Sequence, residues 1–184
     1  MKKDKYIIKS ERLGYRTWKD DDVEEFLKLN SDEEVMKHFP RTLSENEVEI
    51  LIDRLQKHFY KNGYTYYAIE ILKSQEFIGM IGLALQEYKT SFTPAVDIGW
   101  RLKRGAWGNG YATEGAKRCL EYAFNELGMK KLISVCTIHN KSSENIMKKI
   151  GMTKMGKFNH PEMASYPEYV KHFHYEINRD KTEN

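Results

Sequence analysis

The chain has 184 residues, 40% of them hydrophobic and 31% charged, with a formal net charge of +3 at neutral pH. This length fits a single domain with its own buried core. A mean hydropathy of -0.70, with no apolar run near the ~20 residues of a membrane span, excludes a helical membrane protein, and the small basic excess is too scattered to form a nucleic-acid footprint.

No apolar signal-type stretch follows Met1 to Lys5. Cys119 falls on an apolar helical face and Cys136 in a strand-like run, so both read as buried free thiols of a reducing compartment. These features predict a soluble cytoplasmic chain.

Arg12 to Trp18 reads as the first strand. Asp20 to Asn30 reads as a helix, with Asp20 or Asp21 as its cap and Val23, Phe26, Leu27 and Leu29 as apolar positions. Ser31 to Arg41 reads as irregular, with a break at Phe39-Pro40. Ser44 and Glu47 make a capping-box pattern that opens a second helix. Val48, Leu51, Ile52, Leu55 and Phe59 carry it to Asn62-Gly63. Tyr64 to Leu72 and Phe77 to Leu85 read as a hairpin around Lys73-Ser74-Gln75-Glu76, followed by a polar stretch from Gln86 to Pro94.

The stretch from Val96 to Ala116 organises the rest. Val96, Ile98, Trp100 and Leu102 alternate with Asp97, Gly99, Arg101 and Lys103, the two-residue period of a strand. Arg104, Gly105, Gly108 and Gly110 follow. From Tyr111 the period is helical: Ala112, Ala116, Cys119, Leu120, Ala123, Phe124 and Leu127 share a face, and Gly128 ends it. First-turn amides of a helix lack internal partners and lie at the positive end of its dipole. Strand, glycine loop and helix therefore form a candidate anion site, with Lys103 and Arg104 adding full charges.

Lys131 to Ile138 reads as the next strand, and His139-Asn140 turns into a helix closed by Gly151. Thr153 to Phe158 and Tyr169 to Ile177 read as the last strands, around a loop with His160 and Pro161, and a polar tail begins at Arg179. His172 and His174 share a strand face and read as solvent-facing, because no third metal ligand is near in sequence. The element order implies an α/β class: a mixed, mainly antiparallel sheet of about seven strands with helices on its faces. Val96 to Ile138 forms one strand-helix-strand unit, which makes those two strands parallel neighbours.

Three readings share the glycine loop. A P-loop needs Gly-Lys-Ser/Thr where this chain has Gly110-Tyr111-Ala112. A dinucleotide fingerprint fits Gly108-Asn109-Gly110 but then meets Thr113, and no acidic residue ends the following strand. A glycine-rich turn without a ligand fits the loop taken alone.

A second motif lies downstream. The run Asn140-Lys141-Ser142-Ser143-Glu144-Asn145-Ile146-Met147-Lys148-Lys149-Ile150-Gly151-Met152, together with Arg104-x-x-x-Gly108-x-Gly110-x-Ala112, resembles the GNAT family of acyl-CoA-dependent N-acetyltransferases. Trp107-Gly108-Asn109-Gly110-Tyr111-Ala112-Thr113-Glu114, Glu11-Arg12-Leu13-x-x-Arg16, Asp32-x-x-Val35-Met36 and His174-Tyr175-Glu176-Ile177 resemble its RimJ/RimL-type branch, which acetylates protein N-termini and small amines. The likeness covers nearly the whole chain. It implies one N-acetyltransferase domain, residues 1–184, whose two central parallel strands splay apart around acetyl-CoA.

By that resemblance, amides of Arg104, Gly105, Gly108, Asn109, Gly110, Tyr111, Ala112 and Thr113 hold the pyrophosphate. The backbone of Arg101, Leu102 and Lys103 pairs with the pantetheine arm and polarises the thioester carbonyl. Asn140 bonds that arm or orients the acceptor, and is also a good helix cap. Many relatives protonate the leaving thiolate with a tyrosine at the position of Met147, which has no proton to give. The branch instead places Ser143 as the acid, against the plain reading of a first-turn helix serine. Asp97 stands where some relatives carry a catalytic carboxylate, against the reading of an edge-facing structural aspartate. Phe39, Trp100, His160 and Tyr166, with Pro40, are the candidate acceptor contacts, against aromatic core packing. The acidic early region (Asp20, Asp21, Asp22, Glu24, Glu25, Asp32, Glu33, Glu34) favours a cationic acceptor if it borders the pocket.

The expected activity is acetyl transfer from acetyl-CoA to a primary amine by direct attack in a ternary complex. The acceptor is a peptide N-terminus, a polyamine or an antibiotic-like amine. No metal, nucleic acid or membrane partner is expected, and the chain is a monomer or homodimer. Cys119 and Cys136 are poorly placed as nucleophiles. The missing tyrosine at Met147 keeps a non-catalytic acyl-CoA sensor as the alternative, and a nucleotide-binding regulator is a third reading.

Overall fold

The computed structural model describes residues 5–179; the N-terminal residues 1–4 and the polar tail 180–184 lie outside them. Strands β1 (Ile8–Lys9), β2 (Leu13–Arg16), β3 (Tyr66–Ile71), β4 (Phe77–Gln86), β5 (Ala95–Leu102), β6 (Lys131–Thr137), β7 (Thr153–Asn159) and β8 (Lys171–Asn178) form one sheet, ordered β1-β2-β3-β4-β5-β6-β8-β7. All neighbours are antiparallel except β5 and β6. The sheet has eight strands, one more than the periodicity predicts, because the two residues of β1 are too few to show a period.

The helices are α1 (Val23–Ser31), α2 (Glu33–Met36), α3 (Glu45–Asn62), α4 (Tyr111–Glu121) and α5 (Lys141–Lys149). Alternation assigns each side chain to a layer, offset by one residue in β4 where a bulge at Ile78–Gly79 breaks the register with β3. Phe77 and Met80 of β4 pack with Trp18, Phe26, Leu29, Val48, Ile52 and Leu55 around α1 and α3. Their neighbours Ile78, Ile81 and Leu83 pack with Ala116, Cys119, Leu120 and Met147 of α4 and α5. Each such side chain contributes about 1.5–3 kcal/mol when taken out of water, so a one-residue slip of β4 would be prohibitive.

Local signals behave as their chemistry dictates, with some exceptions. The Ser44–Glu47 capping box forms, and Gly63 closes α3 at φ 79°. The stretch read as irregular contains α2, because the Asp32 carboxylate accepts the Glu34 and Val35 amides. Asp20 and Asp21 do not cap α1. They belong to a single 3-10 turn, and the buried member is Asp22, which forks onto both terminal nitrogens of Arg16 at 2.7 Å. The deeply buried Arg16 guanidinium requires such a partner. The last turn of α4 widens into a π-turn over Tyr122–Glu126 before Gly128.

His172 and His174 are buried, contrary to the solvent-facing reading. The 86–94 link, read as polar, folds its aromatic side chains over them. Phe92 stacks on His174 with ring centroids 3.7 Å apart, and Tyr88 packs on His160 at 4.4 Å. Burial lowers the pKa of all three histidines, that of His172 to about 4. Among the described residues no group of three His, Cys, Asp or Glu is placed to hold a metal ion. Among the described residues no helix is long and apolar enough to cross a membrane.

Candidate active site

The parallel pair opens at the centre of the sheet. β5 and β6 share one register position, Asp97↔Ile133. The Ser134 hydroxyl also donates to the Ile98 carbonyl at 2.8 Å, and beyond that point the ladder stops. Successive residues of a strand point their N–H and C=O to opposite edges. Lys103 N–H donates to the Ile78 carbonyl of β4 at 2.8 Å, whereas the Ile98 carbonyl faces β6. The Arg101 backbone and the Lys103 N–H therefore face β4, the Lys103 carbonyl accepts the Ala106 N–H at 2.9 Å, and the backbone groups of Trp100 and Leu102 face the gap. Placing the arm on the backbone of Arg101 and Lys103 is thus corrected by strand alternation: the groups free to pair are those of Trp100 and the N–H of Leu102. The Leu102 carbonyl is taken by the Trp107 indole N–H at 2.9 Å. An unpaired backbone inside a sheet is costly, so this edge is suited to an extended, amide-bearing ligand.

The glycine loop follows directly. After a 3-10 turn at Arg104–Ala106, Gly108 and Gly110 take φ values of 76° and 79°. A β-carbon would strain both. Gly110 precedes α4, so the amides of Tyr111, Ala112 and Thr113 open that helix without backbone partners. Arg12 braces the loop from the far side. Its guanidinium donates to the Asn109 carbonyl at 3.0 Å and to Glu114 at 2.6 Å, and lies 4.6 Å from the centre of the Tyr111 ring. Glu114 also accepts the Ser10 hydroxyl and the Arg12 amide, at 2.7 and 2.8 Å. Burial alone would raise the Glu114 carboxyl; these bonds outweigh it and hold the pKa below its usual value. Along the chain only the helix dipole accounts for a first-turn Glu114, because its partners Ser10 and Arg12 lie about a hundred residues away.

The charges expected beside the loop are already matched. Lys103 pairs with Glu25 at 2.5 Å, and Arg104 approaches Asp32 at 3.7 Å. Hydrogen bonds from Lys103, then Lys28, hold the Glu25 carboxyl at about 2.

On the other side of the gap, β6 leads into α5. Asn140 caps that helix, its side-chain oxygen accepting the Ser143 N–H at 3.0 Å. The Asn140 amide nitrogen and the Ser143 hydroxyl have no partner among the described residues. Met147 is 1% exposed and belongs to the core, so its side chain is packed away from the gap. Glu144 accepts Lys154 and Tyr175, each at 2.8 Å, and these bonds hold its carboxyl at about 2.

A cavity of about 310 Å³ lies over the α1–α3 face of β5. Its walls are Met36, Phe39, Pro40, Arg41, Leu43, Leu51, Arg54, Tyr66, Met80, Arg101 and Tyr166. Of the predicted acceptor contacts, Phe39, Pro40 and Tyr166 meet here. Trp100 does not line it, because alternation turns its side chain to the α4 face. His160 is also absent, buried beneath Tyr88. None of the early acidic residues lines this cavity; Glu25 and Asp32 border instead a second hollow beside Lys103 and Arg104.

Two groups from β5 mark this face: Arg101, half-buried in the cavity wall, and Asp97, buried behind it. The Arg101 guanidinium donates to the Asn30 side-chain oxygen and lies 4.1 Å from the centre of the Phe39 ring. Burial, with Arg54 nearby, lowers its pKa to about 10. Asp97 is 7% exposed and flanked by β4 and β6, which corrects the edge-facing reading. It accepts the hydroxyl of Tyr66, which in turn accepts Gln86 Nε2 at 3.2 Å. Burial lifts the Asp97 carboxyl to about 6. Tyr66 and Arg54 escaped the sequence reading, since the first sits in a tyrosine-rich strand and the second on a charged helix face.

Comparison with known proteins agrees with this geometry. The acetyltransferase (GNAT) domain matches residues 12–153, and the chain belongs to that family. The Bacillus subtilis uncharacterized N-acetyltransferase YnaD is 30% identical over 153 residues, covering 82% of this chain and 85% of the relative. The structure of a GNAT-family acetyltransferase from Bacillus anthracis, 26% identical, superposes with a TM-score of 0.76 over 94% of this chain and 98% of that one. A Vibrio cholerae spermidine N-acetyltransferase, solved with CoA and spermine, shares the fold at a TM-score of 0.72 and 18% identity, over 94% and 99% of the two chains. The protein is an N-acetyltransferase with the mixed α/β architecture of its family.

Proposed function

We propose that the protein transfers an acetyl group from acetyl-CoA to a primary amine, as a RimJ/RimL-type member of the family, by direct attack in a ternary complex. The observation that carries this reading is the opened edge of β5, with Trp100 and the Leu102 N–H unpaired beside a glycine loop and a helix N-terminus. In this reading the pyrophosphate lies on the amides from Gly108 to Thr113. The pantetheine arm pairs with β5 as an added strand segment, and a fixed backbone N–H of that edge stabilises the negative charge growing on the thioester oxygen. The Asn140 amide nitrogen donates to the arm.

The acceptor enters from the cavity. Its nitrogen bonds to the acetyl carbon, the carbon–sulfur bond breaks, and the Ser143 hydroxyl passes a proton to the leaving thiolate while taking one from solvent water. The proton leaving the amine passes through the Tyr66 hydroxyl to Asp97. No cysteine takes part: burial pushes both thiols up to about 12, leaving almost no thiolate at neutral pH.

Ser143→Ala tests the reading. Turnover, read as thiol release from acetyl-CoA over a panel of primary amines, should fall by ~10²-fold, with calorimetric CoA affinity preserved. Full turnover in the variant would remove the serine from the mechanism. Tight CoA binding by the native protein with no thiol released on any amine would replace catalysis with sensing.

A further inference from the structure

We propose that the acceptor carries an anionic group, a carboxylate or a phosphate, beside its amine, and that Arg54 and Arg101 in the cavity read that anion. This inference rests on the acetyltransferase reading above and narrows its acceptor.

The charges on the cavity wall carry the argument. Three arginines line it, Arg41, Arg54 and Arg101, and no acidic side chain does. Arg41 is already paired with Glu47. Arg54 has no ion-pair partner among the described residues, and it lies close enough to repel the charge on Arg101. Arg101 meets only the neutral oxygen of Asn30 and the Phe39 ring, with no carboxylate partner among the described residues, and its Nε is buried with no hydrogen-bond partner. Buried donors are normally satisfied and buried charges normally paired. Guanidinium groups match carboxylate and phosphate oxygens in a planar fork. Two guanidinium groups short of an anion, in one cavity, are a receptor for one.

The same field disfavours a polycation. A polyamine in this cavity would meet like charge with no carboxylate on the wall to offset it. An amine that brings its own anion neutralises the arginines, and whatever positive field remains favours its uncharged, nucleophilic form. Phe39, Leu43, Leu51 and Met80 give the cavity an apolar wall, and about 310 Å³ fits a small molecule with an apolar body. We therefore commit to a small amino-carboxylate or aminoalkyl phosphate.

The test pairs acceptors that differ only in charge: leucine against leucinamide, and 3-aminopropyl phosphate against 3-aminopropanol, with spermidine alongside. Thiol release from acetyl-CoA should favour the anionic member by about tenfold or more in kcat/KM, and which pair shows the larger ratio identifies carboxylate or phosphate. Arg54→Gln, at an exposed position, should abolish the preference by raising KM for the anionic acceptor while CoA affinity holds. Arg101→Gln should do the same, and Arg54→Gln keeps the test valid if that variant does not fold.

A binding arm separates recognition from chemistry. N-acetylleucine, titrated calorimetrically in the presence of CoA, should bind more tightly than N-acetylleucinamide, and Arg54→Gln should equalise them. Preference for the neutral amines or for spermidine, with N-acetylleucine binding no tighter than its amide, overturns the proposal and leaves the acetyltransferase reading standing. Thiol release from no amine, with N-acetylleucine still held through Arg54, supports the anion site and defeats the catalytic reading.

Discussion

Asp97→Asn separates the two roles that burial imposes on this carboxyl. The asparagine keeps an acceptor oxygen for the Tyr66 hydroxyl and removes the charge. In the folded protein Asp97 titrates near 6 rather than 3.8, because its surroundings disfavour the ionised form. That gap corresponds to about 3 kcal/mol. Between about pH 4 and pH 6 the folded state holds a proton that the unfolded chain has released, so native stability falls as pH rises across this window and stays lower above it. The variant carries no such penalty. Urea unfolding followed by tryptophan fluorescence should show Asp97→Asn gaining up to about 3 kcal/mol on the native protein between about pH 4 and pH 7. Activity should move the other way. Native kcat/KM should rise through about pH 6 as the base ionises, whereas the variant should lose ~10²-fold or more and that pH step with it. Parallel stability profiles for the two proteins would refute the buried-charge argument. An Asp97→Asn enzyme with native turnover would refute the proton path.

Other outcomes follow from single contacts. Glu114→Ala removes the acceptor for Ser10 and Arg12 that braces the glycine loop, and calorimetry should show CoA affinity weakened by about tenfold. Glu144→Gln should flatten the acid limb of stability. The native carboxyl, held at about 2 by Lys154 and Tyr175, stabilises the fold above its ordinary value of 4.5, and that contribution is lost as pH falls toward 2, which circular dichroism would follow. Met147→Tyr should not raise turnover. The side chain it replaces is 1% exposed, so the larger ring overpacks the core by about 1–3 kcal/mol, and a faster enzyme would contradict the buried placement.

Much of this protein was legible along the chain because the relevant forces are local. Alternation in Val96 to Leu102, the Ser44–Glu47 capping box, the glycine stops and the turn at Lys73 to Glu76 all act within a few residues, and each formed where its chemistry predicts. The parallel placement of β5 and β6 also followed from order and connection length alone.

Only the tertiary structure decided what those elements face. Strand alternation turned the Trp100 backbone to the gap and the Arg101 side chain to the cavity, but which edge lay open depended on where β6 stops pairing. The burial of His172 and His174 came from Phe92 and Phe158, and the shape of the glycine loop from Arg12 and Ser10 through Glu114. A charge has the same residue code whether water or another side chain neutralises it. That is why eight acidic residues in the early region suggested a cationic acceptor, while the folded cavity presents arginines and no acid.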